Sequence, residues 1–318
     1  MNSKSPIKLF LNLNLLKHND LDNFCDIVCL VPFLPDESYR YIVSKMGLHN
    51  EGLYTGLYFN GKDYISSVGS LEDCDYSVIP FKYNPSDDRV AKIIQEAKAK
   101  NKTVLAFHYD DYEGELETAN NVILFRSSIG RSTIKKNERV FPAIVADHNF
   151  YTEDESNSPA RSIGFCGLMY PFRQKFLDQL GLVCPHEYIS RKNFFATELP
   201  PKEARHSYYK ILSNNKFSFC MRGAGNFSSR FYETLMMNRV PVLINTDTIL
   251  PLESVIAWNN YIISYPDNDL NKIAANINSK STWTPPNRLI WQKYFSALGF
   301  IRNLKLYISE KPNKNKTF

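Results

Sequence analysis

Residues Lys216–Pro251 read KFSFCMRGAGNFSSRFYETLMMNRVPVLINTDTILP. The order is strand, loop, helix, strand. Phe217 and Phe219 lie in a short apolar run. The loop after it holds Arg222, Gly223, Gly225, Ser228, Ser229 and Arg230. A helical pattern then carries Glu233 in its first turns, and Val240 to Ile244 is a second strand-like run. A loop rich in Gly and Ser at a helix N-terminus offers backbone N–H groups and the positive dipole end to an anion. Two arginines add fork-shaped donors suited to phosphate oxygens. A carboxylate one turn into the helix is placed to accept ribose hydroxyls. An ordinary Gly-rich turn with a Ser cap, and an Arg pairing with Glu across a helical turn, would use the same letters. The combination points to a site for a nucleoside diphosphate.

Outward from this stretch, strand-like runs alternate with helical patterns. Ile7 to Leu13, Ile27 to Val31, Tyr76 to Pro80, Val104 to His108, Val122 to Phe125 and Phe141 to Val145 are short apolar runs read as strands. Between Pro80 and Val104, the residues Val90, Ile93, Ile94 and Ala97 recur at helical spacing, which gives a β-α-β unit. The polar segment Tyr151 to Pro159 reads as a linker. A second alternation follows: strand Ser162 to Gly167, helix Arg173 to Leu180, strand His186 to Ile189 and helix Pro200 to Ser213. The opening stretch, a short strand at Ile262 and Ile263, and helical patterns over Asp269 to Ile277 and Asn287 to Ile308 complete it. Two such series predict an α/β protein with two Rossmann-like domains facing a cleft. The expected division is 1–149 for an N-terminal Rossmann-like domain and 150–285 for a C-terminal one. Residues 286–318 form a C-terminal helix crossing back to the N-terminal domain, plus a basic tail.

Bulk composition narrows the function. The chain has 318 residues, 43% hydrophobic and 22% charged, with a net charge of +5. That suits packed soluble domains. The basic residues are dispersed, without the dense stripe of a nucleic-acid binder. The six cysteines include no CxxC pair, so a structural zinc site is not expected, and free thiols in a reducing compartment are the simplest account. No apolar run approaches the roughly eighteen residues of a membrane span, and no signal peptide is visible. The expectation is a cytoplasmic enzyme of bacterial or viral type.

The motifs are similar to those of the exostosin family of glycosyltransferases (family 47). Phe219-Cys220-Met221-Arg222-Gly223, Arg230 with Glu233, Val240-Pro241-Val242-Leu243-Ile244 and Leu250-Pro251-Leu252 with Val255 and Trp258 follow the order and spacing of that family's C-terminal signature. Upstream, Cys74 to Phe81 resembles its strand ending in Pro-Phe, Val104 to Gly114 its HDWG region, and Arg161 to Leu180 the segment that opens its second half. The resemblance implies the two-domain GT-B fold. It implies an inverting transferase that moves a sugar from a nucleotide-sugar donor, a UDP-sugar, to a hydroxyl of an oligosaccharide or glycan acceptor. A nucleotide-sugar epimerase of the same fold, and an inactive glycan- or nucleotide-binding module, are the rival readings.

Candidate residues follow. Arg222, Gly223, Gly225, Ser228, Ser229 and Arg230 are expected to hold the diphosphate, Glu233 the ribose, and Arg173 a further phosphate oxygen. Inversion needs a base on the acceptor side. Asp110, Asp111 and Glu113 follow the strand Val104 to His108. Asp111 aligns best with the family's Asp, and a shift of one residue would select Asp110. Where the family has His before that Asp, this chain has Tyr109 or Asp110. Three Asp-x-Asp triplets occur, at Asp20, Asp73 and Asp267, none of them ending a strand as a metal-binding triplet would. With arginines and a helix dipole to neutralise the phosphates, no divalent metal and no separate cofactor are expected.

Overall fold

The computed structural model describes residues 5–46, 52–148, 160–182, 184–193, 198–265, 270–280 and 282–314. The anticipated linker at Tyr151 to Pro159 and the Asp267 triplet lie outside them. Among the described residues eleven strands fall into two sheets, every pairing of these strands parallel. The first sheet comprises β1 (Ile7–Leu11), β2 (Ile65–Val68), β3 (Tyr76–Lys82), β4 (Thr103–His108), β5 (Val122–Arg126) and β6 (Glu138–Val140), in the order β2-β1-β3-β4-β5-β6. The second comprises β7 (Ala160–Leu168), β8 (His186–Arg191), β9 (Asn215–Cys220), β10 (Val240–Ile244) and β11 (Ile263–Tyr265), in the order β11-β10-β9-β7-β8.

The helices are α1 (Asp36–Met46), α2 (Thr55–Asn60), α3 (Asp88–Ala99), α4 (Pro171–Gly181), α5 (Pro201–Asn214), α6 (Ser229–Met236), α7 (Leu270–Ser279), α8 (Asn287–Ile290), α9 (Ala297–Arg302) and α10 (Leu304–Ser309). Two parallel sheets with helical crossovers and C-terminal loops facing each other make the GT-B arrangement.

The central strands are apolar throughout because both of their faces are covered. Every residue of β9 and β10 is buried. In β3 the register with β4 shifts between Val78 and Lys82. Pro80 lies in that interval and has no N–H for the ladder. Beyond the shift Lys82 stands opposite Phe107, at the end of the sheet where the loops gather. Helix α3 starts where the Asp87 carboxylate accepts the Arg89 N–H at 2.9 Å and buries Val90, Ile93 and Ala97.

Three expectations change. Ile27 to Val31 is no strand; it is a run of helical and turn residues, fully buried. A short apolar run has no periodicity that separates a buried strand from a buried helical turn, and Pro32 follows it. The strand expected at Phe141 to Val145 is absent: β6 ends at Val140, just before it, and 141–148 continue without regular structure. The single helix expected over Asn287 to Ile308 is broken into α8, a π turn at Trp291–Phe295, α9 and α10. Ser296 breaks it with an extended backbone and caps α9 by accepting the Gly299 N–H at 3.0 Å.

These C-terminal helices run from α6 back to the first sheet. Phe295 stacks on Trp258, with ring centres 5.5 Å apart. Phe300 then enters an aromatic cluster with Phe107, Phe125 and Phe141 at 6.3, 5.8 and 5.2 Å. Phe300 is fully buried. Replacing it with Ala should cost about 3–5 kcal/mol, read as a lower denaturant midpoint; an unchanged midpoint would show that the C-terminal helices do not secure the first sheet.

Candidate functional site

The two sheets meet at their C-terminal ends. The loop after β4 carries Tyr109 to Gly114, and the loop after β5 carries Ser127 to Thr133. The loop after β9 carries Met221 to Ser228 and opens α6. Gly225 marks the closest approach. A Cβ there would sit 2.8 Å from Asp111 Cα, Asp111 Oδ1 and Ser128 Oγ. Next to it the Asn226 N–H donates to Ser128 Oγ at 2.8 Å. The Asn226 side chain accepts from Thr246 and Thr248 at 2.9 and 3.2 Å, which ties the donor loop to the loop after β10. Asp247 follows with a left-handed φ of +66°, a conformation that Asp tolerates. Its carboxylate takes the Ser132 N–H at 3.1 Å and hydroxyl at 2.5 Å. Arg131 pairs with Glu253 through a buried ion pair at 2.5 Å.

On the side of the second sheet, Arg230 leaves the first turn of α6 and lies over the Phe165 ring, 4.2 Å from its centre. It donates to the Cys166 carbonyl at the end of β7, and a Cβ on Gly167 would come within 2.6 Å of its Nη2. The glycine therefore lets the guanidinium lie flat against the strand. Arg230 Nε is buried without a hydrogen-bond partner in the structure. Glu233 is held by Tyr209 Oη at 3.4 Å and more closely by Tyr208 Oη. Burial raises its pKa, against the pull of the two tyrosines and Arg230. Arg222 reaches across to Glu113. Ser228 occupies the cap position of α6 with no side-chain capping bond, and Ser229 Oγ lies 3.4 Å from Tyr109 Oη.

Arg173 is nearly fully buried. Its guanidinium holds the carbonyls of Leu168 at 3.0 Å and Met221 at 3.4 Å, together with that of Arg222. It clips the end of β7 to the end of β9. Burial, then the neighbouring Arg230 charge, lower its pKa to about 10. Among the described residues these contacts tie the loop after β9 to the end of β7.

In the loop after β4 the two acids differ. Asp110 is in an ion pair with Lys82 and accepts the Tyr112 N–H at 2.9 Å. Burial pushes its carboxyl up, but Lys82 and that N–H outweigh burial and hold it below the ordinary range. Asp111 is exposed, and no hydrogen bond or ion pair among the described residues holds its carboxylate. It lies against the Gly225 backbone. The loop is fixed from beneath: buried Arg126 pairs with Glu138 at 3.1 Å and donates to the carbonyls of Tyr112 and Gly114 at 2.9 and 2.8 Å. His108 is buried, and desolvation with nearby Lys82 lowers it to about 4.

Asp26 lies under the same loop. It accepts the Tyr109 N–H at 2.6 Å and is almost wholly buried. Burial pushes its carboxyl up to about 8. Its polar neighbourhood was hidden by a distance of 83 residues. Lys82, Ser128, Tyr208, Tyr209 and Asn226 were missed for the same reason. Of these only Lys82, which ends β3, has a position that could have flagged it.

The remaining triplets serve structure. Asp20 pairs with Arg89 at 2.7 Å, Asp22 accepts from Tyr41, and Asp75 accepts the Lys8 N–H at 2.9 Å. No three His, Cys, Asp or Glu side chains among the described residues gather closely enough to hold a metal ion. No helix among them is long and apolar enough to cross a membrane. The five described cysteines are free and buried.

A family model, the exostosin GT47 domain, matches residues 65–280, from β2 through α7. The chain belongs to the exostosin GT47 family. Similar curated proteins include exostosin-1c of Danio rerio, 28% identical over 99 residues, which are 30% of this chain and 13% of that protein. The exostosin-1 homolog of Caenorhabditis elegans is 38% identical over 65 residues, 20% of this chain and 17% of that one. The matched stretch is thus less than a fifth of either exostosin-1 relative. Among solved structures, Anabaena Alr3699/HepE in complex with UDP and glucose is similar at 13% identity and a TM-score of 0.43, with 94% of this chain and 97% of that one covered. Its complex with UDP gives 11% identity and a TM-score of 0.44, with 94% and 98% covered.

Asp26 has a folded-state pKa above its ordinary 3.8. Its contribution to stability is therefore full at low pH and is lost as pH rises toward about 8. Asp26→Asn removes the titration and keeps an acceptor for Tyr109. Melting temperatures should show the variant gaining on the parent as pH is raised from 5 to about 9. A constant difference across that range would contradict the assignment.

Proposed function

We propose that this exostosin-family protein transfers a sugar from a UDP-sugar to a hydroxyl of a glycan, with inversion at the anomeric carbon. The observation that carries the reading is the contact at Gly225. A loop with two arginines at a helix N-terminus lies directly against an unpaired carboxylate from the opposite sheet. Phosphate-binding groups and a base thus face the same gap, as an in-line displacement requires.

In this reading Arg222 and Arg230 take the pyrophosphate, with the amides and hydroxyls of Gly223, Gly225, Ser228 and Ser229. Glu233, oriented by Tyr208 and Tyr209, takes the ribose hydroxyls. Arg173 supports the loop through its carbonyls. Asp111 is the base and Asp110 locks the loop, because Lys82 neutralises the latter. Asp111 removes the proton of the acceptor hydroxyl as its oxygen attacks the anomeric carbon and the nucleoside diphosphate leaves. The arginines and the helix dipole stabilise the charge on the departing phosphate. The site reading calls for no metal.

Calorimetry with UDP tests the donor half. Arg230→Ala should weaken UDP by about ten- to a hundredfold, the value of a charge-assisted hydrogen bond; unchanged affinity would count against the cradle. Asp111→Asn should leave UDP affinity within about twofold and lower transfer by about 10²–10⁴ in an assay of UDP release against an acceptor panel. If Asp111→Asn transfers at the parental rate, the base is elsewhere.

A further inference from the structure

Arg222 stands just past the end of β9, and Glu113 lies in the loop after β4. The two side chains join the sheets as a double fork: Nη1 donates to Oε2 at 3.3 Å and Nη2 more closely to Oε1. The remaining described bond of Arg222 goes to the Ala224 carbonyl at 3.0 Å, within its own loop. The two arginines of the donor loop are therefore engaged differently. Arg230 meets a carbonyl and a ring, both of which leave it able to accept an anion. Arg222 already holds one. A carboxylate in a two-pronged contact with guanidinium has the geometry a phosphate would take.

The pair is also exchangeable. Its side chains are 28% and 37% exposed, so water reaches both groups, and an ion pair this open is held weakly. A pyrophosphate carries more negative charge than one carboxylate and offers more oxygens.

We propose that Glu113 is a positioning residue that occupies Arg222 in place of the donor pyrophosphate and is displaced when the donor enters. The inference rests on the donor reading above. Glu113 keeps Arg222 extended into the gap while the site is free of nucleotide. It also lowers the apparent affinity for the donor, because the arginine must first be released.

Titration of UDP by calorimetry into the full chain as wild type, Glu113→Gln, Arg222→Gln and the double variant tests this. Glu113→Gln should tighten UDP by about two- to fivefold, the strength of an exposed pair. Arg222→Gln should weaken it, and adding Glu113→Gln to Arg222→Gln should change nothing further. Glutamine keeps the size and hydrogen bonding of the side chain, so a glutamate that merely braced the loop would give unchanged or weaker binding. Unchanged or weaker binding in Glu113→Gln overturns the proposal, as does equal tightening in the Arg222→Gln background. Thermal unfolding checks that each variant folds. Should Glu113→Gln fail to fold, Glu113→Asp, which shortens the reach to Arg222, should also tighten UDP, and unchanged or weaker binding there overturns the proposal as well. UDP binding that is lost in Arg230→Ala and weakened in Arg222→Gln but indifferent to residue 113 would remove Glu113 alone and leave the donor reading standing. Absence of UDP binding in wild type and variants alike would remove both.

Discussion

At Gly225 the two halves of the molecule touch backbone to backbone. A methyl group there would lie 2.8 Å from the Asp111 main chain and from Ser128 Oγ, so only glycine lets the donor loop reach the acid of the opposite sheet without displacing either. The rest of the site is arranged around that approach. Ser128 takes the Asn226 N–H, Asn226 fixes the threonines after β10, and Arg126 secures the acidic loop from below. Loops carry the chemistry, and buried arginines hold the loops.

Those buried arginines follow one pattern. Arg126 ends β5, Arg131 lies in the turn after it and Arg173 is in the first turn of α4, and each spends its donors on carbonyls or a buried carboxylate. Strand ends leave unpaired carbonyls, and an arginine can satisfy two or three at once. Arg222 and Arg230 differ in being half-exposed at the gap. Burial thus separates the arginines that hold the loops from the two at the gap.

Much of this architecture could be read from sequence. The β9–loop–α6–β10 unit announced itself through apolar runs around Gly, Ser and Arg, and the strand positions of β3, β4, β5, β7 and β8 followed from short β-branched and aromatic runs. Ile27 to Val31 misled because complete burial erases periodicity. The break at Ser296 was hidden because serine inside a helical pattern reads as an ordinary polar position until its backbone turns out extended. In the site, residues within one loop were legible together. The partners that decide their roles were not: Lys82 singles out Asp110, and Tyr208 orients Glu233, through contacts that no local pattern encodes. Arg173 was expected at a phosphate from its place at the start of the helix after β7, and its buried contacts with the carbonyls of Leu168 and Met221 are ones that no local pattern encodes.

The most direct measurement is a crystal structure of the full chain with UDP. The account predicts the pyrophosphate against residues 222–230 at the N-terminus of α6, with Arg222 turned from Glu113 toward a phosphate oxygen and Arg230 in contact with another. UDP bound away from that loop, or a loop that stays closed on Glu113 at saturating nucleotide, would contradict it.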